Sequence, residues 1–221
     1  MGVKVFILGR PGSGKSTAAR FIENKAKGRG LTTCHLYDFP ILYEMFWEDT
    51  RGRFQARQDG NFDIIDPSVY HETLNRLEKV AELSQAQLTI IEFARDDYKE
   101  ALRHFSPDFL TGAFCLYFDA SIETCLDRAH KRLDPTNPDS HPIRPNEKFR
   151  DYYGKDIREY MLSQFAADYQ FGDRYGFISN EGSLDLLREQ IIRFTEDNLF
   201  SYIQRHESGL PYTNSVLKES G

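Results

Sequence analysis

Short apolar runs alternate along this chain with segments whose apolar residues recur every three or four positions. The run Val5–Leu8, closed by Gly9, reads as a buried strand entering a turn. From Lys15 to Lys27, residues Ala18, Ala19, Ile22 and Ala26 share one face of a helix that Gly28 and Gly30 end. Further strands are predicted at Leu31–Tyr37, Gln87–Phe93, Thr111–Phe118 and Tyr175–Ser179. Asp66 and Pro67 start a helix whose buried face is Leu74, Leu77, Val80 and Ala81. Another follows Asp119-Ala120-Ser121, with Ile122, Cys125, Leu126 and Ala129 inward. Residues 151–169 read as helical and rich in aromatics, and Leu184–Phe200 as a last helix with Leu187, Ile191 and Phe194 on its inner face. Strands alternating with helices imply an α/β fold, a parallel sheet covered by helices on both faces.

Three stretches break the rhythm. In 41–60, Leu42, Tyr43, Phe46 and Trp47 suit one helical face, and Arg51, Arg53 and Arg57 follow. Aromatics at this spacing are more often core than a ligand platform, and a cationic run is usually a solvated face, although its position keeps substrate binding open. Segment 133–150 contains Pro135, Pro138, Pro142 and Pro145, which excludes a regular helix or central strand and suggests a lid. The tail 201–221 is polar and expected to be loose. The domain is therefore drawn as 1–200, with 41–65 a candidate acceptor-binding segment and 133–150 the lid.

Composition narrows the function classes. A chain of 221 residues suits one domain with insertions. Its net charge of −6 argues against a nucleic acid polymer as partner. Cys34, Cys115 and Cys125 form no C-x-x-C pair, so neither a disulfide framework nor a zinc site is indicated, which fits a cytoplasmic setting. No leader or membrane-spanning run is expected. A homodimer stays open.

The chemistry is densest at Lys4–Thr17, K-V-F-I-L-G-R-P-G-S-G-K-S-T. Gly9 and Gly14-Lys15-Ser16 have the phosphate-loop spacing G-x-x-x-x-G-K-S/T. Gly9, Gly12 and Gly14 permit backbone conformations closed to other residues, which brings N–H groups against phosphate oxygens. The helix after the loop offers its free N–H groups and positive dipole end to the same anion. Lys15 can reach the β- and γ-phosphates of ATP, and the Ser16 hydroxyl can ligate Mg²⁺. Pro11, Ser13 and Thr17 complete the loop.

Other candidates follow the strands. Asp38 stands just past the second strand, where open α/β sheets bind ligands, although a turn or cap role fits as well. Glu92 ends an apolar strand and Arg95 lies three residues on. Arg128 and Arg132, four apart, share a helix face just before the lid.

With these residues in hand, the chain resembles the P-loop kinases of the adenylate kinase and nucleoside/nucleotide kinase group. The specific match is Gly9–Thr17, G-R-P-G-S-G-K-S-T, and the outline extends over about residues 3–199. The resemblance implies a five-stranded sheet of order 2-3-1-4-5 and the P-loop NTPase fold with a lid insertion. It implies that Lys15 and Ser16 hold phosphates and Mg²⁺, and that Glu92 is a base or a ligand of Mg²⁺-bound water. Arg95 then binds acceptor or phosphoryl oxygens, Arg128 and Arg132 neutralise the transferring group, and Asn180 to Ser183, with Gly182, lie near adenine. Adenylate kinases have Asp-Gly after the third strand and the arginine four positions on; here Glu92-Phe93-Ala94-Arg95 stands in that place.

The expected activity is Mg²⁺- and ATP-dependent phosphoryl transfer to a small acceptor, a nucleoside or nucleotide first, a cofactor precursor, sugar or antibiotic second. Asp38, Tyr43, Trp47 and Arg95 are the expected acceptor contacts, and Lys15, Glu92, Arg128 and Arg132 the catalytic set. Whether Asp38 or Glu92 is the catalytic carboxylate stays open. The rival is a nucleotide-binding regulatory protein with little transferase activity; the guanine signature N-K-x-D is missing from the sequence.

Overall fold

The computed structural model describes residues 2–58, 60–131 and 148–207. Arg132, most of segment 133–150 and residues 208–221 lie outside the described residues. In chain order the elements are β1 (Val3–Gly9), α1 (Lys15–Gly28), β2 (Thr33–Tyr37), α2 (Asp38–Glu48), β3 (Phe54–Ala56) and β4 (Phe62–Ile64). Then come α3 (Ser68–Glu82), β5 (Leu88–Glu92), α4 (Tyr98–Leu102), α5 (Pro107–Leu110), β6 (Phe114–Asp119) and α6 (Ile122–Lys131). The remainder is α7 (Lys148–Tyr153), α8 (Arg158–Ser163), α9 (Phe165–Asp168), β7 (Tyr175–Ser179) and α10 (Leu184–Phe194), which runs through a wider π turn (Thr195–Phe200) into α11 (Ser201–Glu207).

Five strands form a parallel sheet in the order β2-β5-β1-β6-β7. Counted over the sheet's own strands this is 2-3-1-4-5, as expected. β1 and β6 are apolar almost throughout because both faces of the sheet are covered. The pleat sends alternate residues to opposite cores. Val5 and Ile7 pack with α1 and α10 through Ala18, Ile22, Leu187 and Ile191. Phe6 and Leu8 pack with Leu74 and Leu77 of α3 and with Tyr98, Phe105 and Phe165. The register Ile7↔Glu92 and Tyr37↔Glu92 brings the carboxyl ends of β1, β2 and β5 level, so the loops after them meet.

Four differences from the sequence pattern have physical causes. Helix α2 begins at Asp38, because Pro40 falls in its first turn, where a missing N–H costs nothing. The segment after it forms an antiparallel hairpin, β3–β4, sealed by Leu42, Met45, Val69, Phe54, Phe62 and Ile64. The stretch 151–169 is broken rather than continuous. A Cβ on Gly154 would lie 2.2 Å from the Arg150 carbonyl, and Asp156 accepts the Arg158 N–H at 3.0 Å to start α8. The tail expected to be loose from 201 stays helical to Glu207, because Phe200 and Ile203 join the first core at 2% and 3% exposure.

Candidate active site

The loop between β1 and α1 is a backbone cradle. Gly9, Gly12 and Gly14 have φ of 142°, 86° and 103°. A Cβ on Gly12 would lie 2.4 Å from the Cys125 carbonyl, and one on Gly14 would lie 2.4 Å from Asn180 Nδ2. No side chain caps α1 and its first turn carries no acid, so its N-terminal N–H groups and dipole face the loop uncompensated by carboxylate. The Ser13 hydroxyl is buried without a hydrogen-bond partner. Lys15, 6% exposed, donates to the Arg10 carbonyl at 2.8 Å.

Two supports hold the loop from below. Tyr98, 1% exposed, accepts from the Gly9 N–H at 2.7 Å and donates to the Gly9 carbonyl at 2.8 Å. Burial pushes its phenol well above the ordinary range, so it stays protonated and can keep donating. Arg10 donates to the carbonyls of Tyr153 (2.8 Å), Ala120 (3.0 Å) and Lys155 (2.8 Å), tying the loop to the segment after the expected lid. Sequence reasoning missed both. Tyr98 is 89 residues from Gly9 and shows only as an apolar position.

The fold is that of a P-loop NTPase. Among solved structures the chain is similar to Kti12 of Chaetomium thermophilum in complex with ADP-AlF3, at 11% identity, with 90% of this chain and 98% of that chain covered and a TM-score of 0.55. It is also similar to a sugar kinase from Janibacter sp. HTCC2649, at 16% identity, with 89% and 95% covered and a TM-score of 0.51. Shikimate kinase from Acinetobacter baumannii in complex with shikimate follows at 12% identity, 91% and 95% covered, TM-score 0.48. No protein-family model matches the chain, and no curated protein matches it.

Around the cradle lie three connected hollows. In front of it, a crevice of about 340 Å³ is lined by Lys15, Ser16, Arg20, His35, Asp38 and Glu92. Ser16 donates to Glu92 Oε1 at 2.6 Å, and His35 Nε2 lies 3.4 Å from Glu92 Oε2. Burial alone would raise the Glu92 carboxyl; His35, the Lys15 charge and the Ser16 hydroxyl outweigh it and hold the group below its usual range. Ser16 and Glu92 together are a hard oxygen pair of the kind that suits Mg²⁺.

To one side, Gly12, Thr17, Arg128, Asn180 and Gly182 line a pocket of about 300 Å³. Asn180 donates to the Ser13 carbonyl at 2.7 Å, and Arg128 donates to the carbonyls of Asn180 (3.0 Å) and Gly12 (3.5 Å). To the other side, a cavity of about 720 Å³ lies between α2, the hairpin, α3 and the loop after β5. Pro11, Asp38 and Phe39 line both it and the front crevice.

Asp38 and Arg95 do meet here, but as partners. Arg95 Nη1 lies 2.5 Å from Asp38 Oδ2, with Arg95 5% exposed. The pairing of Glu92 with Arg95 that adjacency suggests does not form; Glu92 turns to Ser16 and His35. Tyr43 and Trp47 are not brought to the site. Starting α2 at Asp38 turns Asp38, Phe39 and Leu42 to the cavity, which leaves Trp47 71% exposed. Phe39, Arg57, Phe62 and Tyr70 line the cavity instead. Among the described residues no helix is long and apolar enough to cross a membrane.

Proposed function

We propose that this chain is an ATP-dependent phosphotransferase that acts on a small acceptor, a nucleoside or nucleotide being the class its resemblance implies. The observation that supports this most is the position of Glu92. It lines the crevice in front of the phosphate loop, bonded to Ser16, and that crevice shares Pro11, Asp38 and Phe39 with a second cavity large enough for a small molecule. A regulatory nucleotide switch has no need of that second cavity.

Ser16 and Glu92 are the residues that would hold Mg²⁺ or its water, and the ion would supply neutralisation of phosphate charge. The buried Ser13 hydroxyl and the N-terminus of α1 fit an anion. The chain's own contribution is positioning and charge. Lys15 aims an ammonium at the β- and γ-oxygens from a site where little water competes. Arg128 draws the loop against Asn180 and can reach the transferring charge. Thr17, Asn180 and Gly182 shape the base side. Glu92, an ionised carboxylate, accepts the proton of an attacking hydroxyl.

Acceptor-dependent ADP release from MgATP, followed across nucleosides, nucleotides, sugars and amino alcohols, tests the reading. At least one class should raise ADP release well above the rate in water. Slow hydrolysis that no acceptor stimulates would favour the regulatory alternative.

A further inference from the structure

The charges of the three hollows are sorted. The pocket beside Asn180 carries Arg128 and Lys131 and no acid among its described lining. The acceptor-side cavity is the reverse. Among its described lining, Asp38, Asp63, Asp96, Asp97 and Glu100 stand against only Arg57 and Arg95.

Neither guanidinium is left over for an anion. Arg95 is held by Asp38 at 2.5 Å and by the Ala94 carbonyl at 2.6 Å, and its Cζ lies 4.9 Å from the centroid of the Tyr70 ring. Arg57 lies 3.4 Å from Asp63. Lys155 and Arg103 meet Asp96 (2.7 Å) and Glu100 (3.2 Å) from outside the lining, and the balance is still negative. A phosphomonoester or carboxylate entering here would have to displace a carboxylate from an arginine and sit among like charges. Such a juxtaposition is strongly unfavourable in a partly desolvated site. Aromatic rings share the rest of the wall with aliphatic side chains such as Leu42, Ile64 and Leu74. Phe39 and Phe62 stand nearly parallel, 8° apart with centroids separated by 6.3 Å, and Tyr70 adds a third ring. Such faces suit a flat ring or the C–H face of a sugar, and they favour a cation over an anion.

We infer that the acceptor is an alcohol bearing neither phosphate nor carboxylate, and that an amine-bearing acceptor binds better than a neutral one of the same shape. This rests on the phosphotransfer reading and narrows it: nucleotides and sugar acids are excluded as acceptors, and nucleosides and amino sugars are retained. In the transfer itself, the acceptor oxygen forms a bond to the γ-phosphorus, the bond from that phosphorus to the β–γ bridging oxygen breaks, ADP leaves, and the hydroxyl proton is released by way of Glu92.

The test uses matched probes on the full chain with ADP and Mg²⁺ present. Calorimetry compares adenosine, cytidine, guanosine and thymidine with their 5′-monophosphates, and glucosamine with glucose and gluconate. The uncharged or amine-bearing member of a pair should bind about 10-fold or more tightly than the anionic member. Asp63→Asn keeps the shape and removes one negative charge from the lining, so it should move the ratio toward the anionic member by about 10-fold. Tighter binding of any monophosphate or of gluconate by the wild type overturns the inference, as does absence of binding by every uncharged and amine-bearing probe. ADP release that depends on Lys15 is measured alongside. If it persists while the monophosphates win, only the acceptor inference fails; if ATP is neither bound nor split, the phosphotransfer reading fails.

Discussion

The phosphate loop and the acceptor cavity adjoin at Pro11 and Asp38, yet they are built by opposite means. The loop works with backbone. Three glycines at positive φ, the uncapped end of α1 and one lysine make an anion site within nine consecutive residues. The cavity works with side chains gathered from α2, the hairpin, α3 and the loop after β5, and its cations are already engaged by carboxylates. A backbone cradle is specific for phosphate whatever carries it. A side-chain wall can be retuned residue by residue, so on the proposed function substrate choice would belong to the second region and chemistry to the first.

The sharpest break in that division should come from Glu92, which is bonded to Ser16 in the crevice that adjoins both regions. Glu92→Gln preserves shape and hydrogen bonding and removes the charge. With a hydroxyl acceptor it should lower kcat by about 10²–10⁴-fold, the usual worth of a positioned base. Steady-state rates decide it; a near-normal Glu92→Gln paired with an inactive Asp38→Asn would mean that the two carboxylates have been assigned in reverse.

Next in size is the Asp38–Arg95 pair. Arg95→Met strands a half-buried carboxylate, and Asp38→Asn strands a buried guanidinium, so each single change should cost about 3 kcal/mol in denaturant unfolding. The double variant should recover part of that loss. Additive losses would show that the two groups are not coupled.

Tyr98→Phe sharpens the loop side. It removes the hydroxyl that serves both the N–H and the carbonyl of Gly9, and should destabilise by about 1–3 kcal/mol. ATP affinity should fall with it, while uncharged acceptor probes bind as before. A matching loss of acceptor binding would mean that the two regions do not act separately.

The smallest effect is in pH. Glu92 has a depressed carboxyl in the folded state, so its stabilising contribution is full above the unfolded value of about 4.3 and is lost as pH falls through the folded value. The acid limb of activity that belongs to Glu92 should therefore lie below about pH 4.3. Between wild type and Glu92→Gln, the difference in stability should shrink below that pH and stay constant above it. An acid limb near pH 6 that vanishes in Glu92→Gln would contradict the depressed carboxyl.

Legibility in the sequence followed the same division. The loop is contiguous and its spacing is its geometry, so Gly9 to Thr17 could be read directly. The sheet order came with the family resemblance that the loop carries, not from the strand patterns themselves. The acceptor side was illegible for physical reasons. Asp38 and Arg95 are 57 residues apart, and no local pattern reports a pair at that separation. Strands β3 and β4 are three residues each, too short for alternation to register. Trp47 drew attention as an aromatic on a helix, but the phase of α2 depends on where Pro40 allows the helix to start. No sequence pattern singles out Tyr98; it is core, and only the fold shows what its hydroxyl meets.

The central claim is that the loop moves a phosphoryl group rather than merely holding a nucleotide. ATP labelled in its γ-phosphate, incubated with the chain and an accepted acceptor, follows that group directly in wild type and in Lys15→Ala. The label should pass to the acceptor in the wild type, and Lys15→Ala should lose about 10²-fold or more of that transfer while unfolding at the same denaturant midpoint. Label that reaches only water in the wild type, or near-normal transfer by a well-folded Lys15→Ala, would contradict it.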